Sequence, residues 1–565
     1  FHPGPPAVWT FRANAGDGRH VVIRLEAWMP DGRNTLVLRF SRPPSGPPLA
    51  TSLTLRPDLE DRSYHAETHR NPGAEHHFSS HTQTLPHRHG FLFSPAPDRR
   101  CQVLARTGVY HPQPEWCEHI AHPVEAARGQ VAEGAAYSPG WFEIPLAPGH
   151  HTELTLDAEA SEIPAAAWDP PQALPASDPT DDPFAARLRT AANAFLARRE
   201  SGRTVIAGYP WFLDWGRDTF IAARGLLAGG WVEEVRSILR VFAPFAEAGT
   251  LPNSIHGSNA SNRDTSDAPL WFAVVAAELL DAHPDPRTQA LRPLLTRTVR
   301  DLLQGYLAGT PNGIRVDPDS ALVWSPAHFT WMDTNHPACT PRQGYPVEIQ
   351  ALWIRALRWL GRQPEADGPQ WSLLADRATR HLDQLFWLHE EGWLSDVLLA
   401  APETPARNAV PDRALRPNML LAITLGVLNG ERARRCVDAS LRHLVVPGAL
   451  RSLAPLPVSP PLVLRSSQGQ PLNDPSNPYW GRYEGDEDSR RKPAYHNGTA
   501  WVWLLPSLCE AMLLAWDHHP AAREAARALL ASTDQLLHQG CIGHLPEILD
   551  GDAPHTQKGC DAQAW

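Results

Sequence analysis

The sequence predicts a multidomain chain: an N-terminal antiparallel β-sandwich followed by an all-α (α/α)6 toroid. Three observations predict it. Residues up to about 159 run in short alternating or apolar stretches between Pro, Gly and Asp turns. A Pro- and Ala-rich stretch without apolar periodicity follows at 161–182. Beyond it the apolar period becomes about 3.6, in segments joined by alternately short and long connections.

At 565 residues the chain is too long for one ordinary domain. Its 51 basic and 62 acidic residues leave a net charge of −11, which argues against nucleic-acid and anionic-membrane partners. A neutral polymer such as a glucan is compatible with that charge. The 57 prolines and 38 glycines stay below the roughly 25–30% at which disorder is expected, so the chain should fold. Seven widely spread cysteines without a C-x-x-C pair imply neither a disulfide framework nor a zinc site, and a reducing cytoplasm is the expected location. No apolar run approaches the roughly 18–20 residues of a membrane span, and no signal-peptide pattern opens the chain.

The strand-like stretches are 21–28, 34–40, 53–55, 90–93, 102–105, 141–144 and 151–156. Many short strands with turns between them read as a sandwich over residues 1–160, either binding carbohydrate on its exposed face or buttressing its neighbour. Residues 161–182 are the expected linker and 183–565 the helical domain.

In that domain Asp182-Pro183 caps a first helix at 184–198. Further helices are expected at 219–227, 232–245, 270–280, 294–307, 347–360, 371–388, 418–428, 431–444, 499–515 and 521–537, with a twelfth starting at Ala562. Connections after even-numbered helices are brief and hold breakers such as Gly229-Gly230 and Asn429-Gly430. Those after odd-numbered helices are long and rich in aromatic, acidic and amide residues. Helices alternating up and down in a closed ring put every odd-to-even connection on one rim, so the chemically loaded loops should converge on one mouth.

Gly208-Tyr-Pro-Trp-Phe-Leu-Asp-Trp-Gly-Arg-Asp-Thr-Phe-Ile-Ala-Ala-Arg-Gly225 concentrates aromatics, carboxylates and arginines at the start of the second helix. A sugar site needs this mixture, because aromatic faces cover the apolar faces of a pyranose while Asp and Arg hydrogen-bond its hydroxyls. Core tryptophans with a capping Arg217–Asp218 pair would produce the same pattern. Glycoside hydrolysis needs a carboxylic acid to protonate the leaving oxygen and a second carboxyl group across the sugar. Asp333 is the candidate acid: it follows Phe329 and Trp331 in the longest rim loop, and apolar neighbours raise a carboxyl pKa. Glu348, early in the sixth helix, is the rival acid and otherwise a substrate-binding candidate.

Trp215-Gly-Arg-Asp-Thr-Phe-Ile-Ala, Thr330-Trp-Met-Asp333, Thr340-Pro-Arg-Gln-Gly-Tyr-Pro-Val-Glu, Leu415-Arg-Pro-Asn418, Tyr495-His-Asn-Gly-Thr-Ala-Trp501, Asp550-Gly-Asp-Ala-Pro-His555 and Cys560-Asp-Ala-Gln-Ala-Trp565 occur in that order. Together they resemble the glucosidase half of glycogen debranching enzymes, the amylo-α-1,6-glucosidase family, and beyond that the glucoamylase-like toroids. The likeness covers nearly all of the chain, and its β-rich part resembles the N-terminal domain of stand-alone bacterial members. Eukaryotic members carry a separate glucanotransferase barrel, for which this chain has no room, so glucosidase activity alone is expected.

The resemblance places the family's base at Glu547, in the last rim loop before Asp550 and Asp552, either of which would serve as a helix N-cap. It implies inversion of configuration through a water held by Glu547. It also makes Arg217 and Asp218 binders of the terminal glucose, hence an exo-acting enzyme. Trp211, Trp215, Trp331 and Trp501 are candidate stacking surfaces, His496 and Arg416 candidate hydroxyl binders, and Asp267 the residue orienting Arg217; each is equally readable as structural.

No metal or cofactor is required by this scheme. The 27 histidines show no repeated ligand spacing, His87-Arg-His89 is an isolated pair, and P-loop, dinucleotide and G-x-S-x-G signatures are absent from the sequence. The expected activity is release of glucose from α-1,6-linked stubs of glycogen or limit dextrin. An α-1,4-glucosidase on the same toroid and a non-hydrolytic glycan-binding protein are the alternatives.

Overall fold

The computed structural model describes all residues except 3–5, 15–16, 63–65, 86–88, 128, 160, 171–181, 258, 336–338 and 365–367. Half of the expected linker, residues 171–181, and His87 lie outside the described residues. The chain forms two compact units, Phe1–Asp182 and Pro183–Trp565.

The first unit is β-rich, and all its strand pairs are antiparallel. A seven-stranded sheet runs in the spatial order Ala7–Asn14, His20–Trp28, Thr35–Ser41, His151–Asp157, Arg99–Ala105, Gly90–Ala96, Thr82–Leu85. A three-stranded sheet has the order Ser52–Leu55, Trp141–Pro145, Val109–His111. Alternate residues of a strand face opposite sides, so Phe40, Phe91, Phe93, Val103 and Leu154 from the larger sheet meet Phe142 and Ile144 from the smaller in one core. A helix not expected from the sequence, Pro72–Ser80, adds Phe78 to that core. Its start is specified locally: the side chain of Asn71 accepts from the N–H of Ala74, and Pro72 occupies the first turn.

The second unit is mainly helical. Ala268–Ala282 and Leu504–Ala515 are apolar on nearly every side, and Val347–Leu360 is almost wholly buried. Such helices suit an interior position. Val232–Phe242, Gly430–His443 and Pro520–Ala531 instead bury one face. The interior helices touch in sequence: Gly216–Ala228 packs on Ala268–Ala282, which packs on Val347–Leu360, then Leu420–Thr424, then Leu504–Ala515.

The helices expected at 184–198, 371–388 and 521–537 end early, at Ala194, Leu385 and Ala531, the first two giving way to the short strands Leu196–Arg199 and Trp387–Leu388. Four further elements differ from the sequence expectation. The helix expected at 294–307 begins at Pro286, where Asp285 caps it through the N–H groups of Arg287 and Thr288, and it continues through Pro293. The α-helix expected at 418–428 is confined to Leu420–Thr424, preceded by one 3-10 turn. The tenth helix starts at Leu504 because Ala500–Trp501 is a strand, pairing with Ala449–Arg451 on one side and Ile548–Leu549 on the other. A helix does not start at Ala562 either: Ala562–Gln563 pairs antiparallel with Gly208–Tyr209. Backbone pairing in the loops between helices thus outweighs helical periodicity at both places, and it sets Glu547 beside the strand that carries Trp501.

Candidate active site

The interior helix Gly216–Ala228 starts tightly against its neighbour. A Cβ at Gly216 would stand 2.4 Å from the carbonyl oxygen of Pro252, so only glycine lets the helix begin there. The next two residues, Arg217 and Asp218, therefore occupy the first helical turn and are buried.

Arg217 is fixed on three sides. Its Nε donates to Oδ2 of Asp267 at 2.7 Å, Nη1 to Oδ2 of Asp333 at 3.1 Å, and Nη2 to the carbonyl of Thr330 at 3.1 Å. Burial alone would lower its pKa, but Asp267, Asp333 and Asp218 outweigh that and hold it firmly protonated. The side chain of Asp333 remains 32% exposed whereas that of Arg217 is 3% exposed, so the carboxyl group is the solvent-facing member of the pair. Loss of water raises the pKa of Asp333; Arg217 opposes the rise and Asp267 adds to it. Asp218 accepts from Nε2 of Gln563 at 3.2 Å. Burial, opposed by Arg217 and reinforced by Asp333 and Glu547, pushes its pKa up to about 7.

Glu547 is held by both carboxylate oxygens. The hydroxyl of Tyr495 donates to Oε1, and the N–H of Cys560 to Oε2 at 2.9 Å. Gly559 allows this approach: its φ is +70°, and a Cβ there would stand 2.4 Å from Oε2. Asp550 and Asp552 cap no helix. They accept from the N–H of Tyr483 and the hydroxyl of Tyr479, each at 2.8 Å, and so tie the last loop to the one before the tenth helix.

One cavity of about 160 Å³ gathers these groups. Phe212, Trp215, Arg217, Asp218, Trp331, Asp333, Tyr495, Trp501, Glu547, Gln563 and Trp565 line it. Its aromatic wall is braced from behind. The indole of Trp331 donates to Oδ1 of Asn418 at 2.7 Å, and that of Trp501 to the carbonyl of Tyr495 at 2.9 Å. The rings of Trp331 and Trp501 meet edge to face, as do those of Trp501 and Trp565. Two acids from distant loops, a buried Arg–Asp pair and several aromatic rings surround one small cavity, an arrangement able to stack and hydrogen-bond a polyhydroxylated ring between two carboxyl groups. No group of three or more His, Cys, Asp or Glu arranged to hold a metal ion occurs among the described residues.

Six of the expected residues, Trp215, Arg217, Asp218, Trp331, Trp501 and Asp333, meet Glu547 in this cavity. Asp267 stands behind it on Arg217. Four others do not line it. Glu348, the rival acid, is buried in a bidentate pair with Arg342 at 2.6 and 2.8 Å, which occupies both of its oxygens. Arg416 spends its donors on the carbonyls of Ser452 and His496 and on Asn497 Oδ1 rather than on a hydroxyl in the cavity. His496 lies behind Trp501, stacked on its ring at 5.1 Å and 2.7 Å from the Thr334 hydroxyl; burial and then Arg416 hold it well below the ordinary histidine range, hence neutral. Trp211 is buried outside the lining. Sequence reasoning missed Phe212, Tyr495, Gln563 and Trp565 as lining residues. All four lie inside stretches already singled out by composition or motif, which was the available signal.

Comparison with known proteins identifies the family and the fold. The family described as Amylo-alpha-1,6-glucosidase matches residues 190–459 and 461–565, and the one described as Glycogen debranching enzyme N terminal matches residues 1–153. The glycogen debranching enzyme of Saccharomyces cerevisiae is 22% identical over 462 residues, covering 62% of this chain and 28% of the yeast protein. The chain thus spans just over a quarter of that relative's length. Among solved structures, a bacterial glucoamylase complexed with acarbose aligns with a TM-score of 0.56 at 12% identity, covering 99% of this chain and 81% of the other. The chain belongs to the amylo-alpha-1,6-glucosidase family of glycogen debranching enzymes, a family of glycoside hydrolases with a glucoamylase-like fold.

Proposed function

We propose that the protein is an exo-acting glycoside hydrolase that releases glucose from α-1,6 branch stubs of glycogen or limit dextrin with inversion of configuration. The carrying observation is that Asp333 and Glu547, 214 positions apart by their numbering, line one cavity with the buried Arg217–Asp218 pair. The family match supports the choice of bond, and the chain of touching interior helices supports closure of the helical unit as an (α/α)6 toroid around the cavity.

In this reading Arg217 and Asp218 grip the hydroxyls of the non-reducing glucose. Further chain growth at that end would collide with them, which makes the action exo. Trp215, Trp331 and Trp501 cover the sugar faces. Asp333, kept protonated to higher pH by burial, donates its proton to the glycosidic oxygen. Its Oδ2 is engaged by Arg217, which leaves Oδ1 to carry that proton. Glu547 takes a proton from a water that attacks the anomeric carbon from the opposite face. The substrate is a branched α-glucan in the cytoplasm, and no metal or cofactor takes part.

Glucose release by the parent, Asp333→Asn and Glu547→Gln from limit dextrin carrying isomaltosyl branches, and from a maltooligosaccharide, tests the reading. It predicts turnover of the branched substrate over the linear one, and at least about 10³-fold loss in each variant. Preference for the linear substrate would make the protein an α-1,4-glucosidase. An inactive parent would favour a glycan-binding protein.

A further inference from the structure

We infer that Tyr495 is a positioning residue for the hydrolysis, fixing the Glu547 carboxylate in the orientation from which it takes a proton from the attacking water. The inference rests on the reading of Glu547 as the base. It is carried by the way Tyr495 joins the base to the sugar-stacking wall.

Three parts of Tyr495 make three separate connections. Its hydroxyl donates to Oε1 of Glu547. Its carbonyl accepts from the indole N–H of Trp501 at 2.9 Å and from the hydroxyl of Thr499. Its ring lies 4.9 Å from that of Trp501 and 5.4 Å from that of Tyr483. The base and one stacking surface are thus set by a single residue at the end of the short helix Lys492–Tyr495. Pairing of Ala500–Trp501 with Ile548–Leu549 fixes the backbone next to both.

Glu547 would otherwise turn about its last side-chain torsion, which is soft. Tyr495 on Oε1 and the N–H of Cys560 on Oε2 restrain that rotation from both ends of the carboxyl group. Such donors also favour the ionised form, which is the one able to act as base. Tyr495 keeps its own proton throughout. The water oxygen bonds to the anomeric carbon, the water proton goes to Glu547, and the departing oxygen takes the proton of Asp333.

The test is steady-state hydrolysis of limit dextrin across pH by the full chain carrying Tyr495→Phe, with Glu547→Gln in parallel. Tyr495→Phe should lower kcat about 10- to 100-fold, leave KM within about twofold, and move the acidic limb of the kcat profile to higher pH. Fluorotyrosine at position 495 keeps the shape but strengthens the donor, so it should move that limb to lower pH and retain the parent fold. An inactive Glu547→Gln beside unchanged kcat and acidic limb in both position-495 variants would overturn the positioning role and leave the base assignment standing. An active Glu547→Gln would instead remove the base assignment and the inference with it.

Discussion

Arg217 donates through Nη1 to Oδ2 of Asp333 at 3.1 Å, and the same guanidinium is anchored through Nε on Asp267. The proposed glucose-binding residue and the proposed acid are therefore one electrostatic unit. Arg217→Gln removes the charge that opposes the rise in the Asp333 pKa. An acid works below its pKa, so the alkaline limb of the kcat/KM profile should move to higher pH while kcat/KM itself falls about 10²-fold or more. An unmoved alkaline limb would detach Arg217 from the acid.

Asp218 offers a stability test. Its folded pKa is raised from 3.8 to about 7, so protonated Asp218 is the form the fold favours. Its contribution is fully present below the unfolded value and is lost as pH rises through the folded one. Asp218→Asn is neutral at every pH. Relative to the parent it should gain stability between about pH 4 and 7, by a few kcal/mol in total, in urea unfolding at a series of pH values. A difference between the two proteins that does not vary with pH would contradict this account of the buried carboxyl group.

Much of the site was legible because its residues announce themselves in composition. The four aromatics Tyr209, Trp211, Phe212 and Trp215 before Arg217-Asp218, and an Asp333 preceded by Trp331, marked both stretches, although the same residues read equally well as core and cap. Glu348 shows what composition hides. A carboxylate in the first turn of a helix reads the same whether it faces a cavity or is locked to Arg342, and only the fold brings Arg342 to it. Tyr495 and Gln563 reach the cavity because short strands in the loops pair across long sequence distances, as at Gly208–Tyr209 with Ala562–Gln563. Such two-residue strands leave no period to detect. The helix expected at 294–307 begins earlier for a different reason: Asp285 caps it at Pro286, and Pro293 is accommodated inside Pro286–Ala308.

Glu348→Gln separates a structural carboxylate from a catalytic one. It leaves Arg342 buried with half of its charge partners, since only Asp396 remains in salt-bridge contact. A loss of about 3–5 kcal/mol is expected in chemical denaturation, with turnover per folded molecule close to that of the parent. Loss of turnover in protein that is still folded would return Glu348 to the catalytic candidates.

Gly559→Ala places a methyl group 2.4 Å from Oε2 of Glu547 at a φ of +70°. Either the carboxylate or the loop has to move. The expected result is a fall in kcat of about 10²-fold or more, with about 1–3 kcal/mol lost in thermal unfolding. A variant with parent kcat would show that the base tolerates displacement.

The central claim is that Asp333 and Glu547 work from opposite sides of one sugar. A crystal structure with an iminosugar bound tests it most directly. The account predicts the ring between the two side chains, with their carboxyl groups roughly 6.5–9.5 Å apart. A separation near 5 Å, or both groups on the same face of the ring, would contradict it.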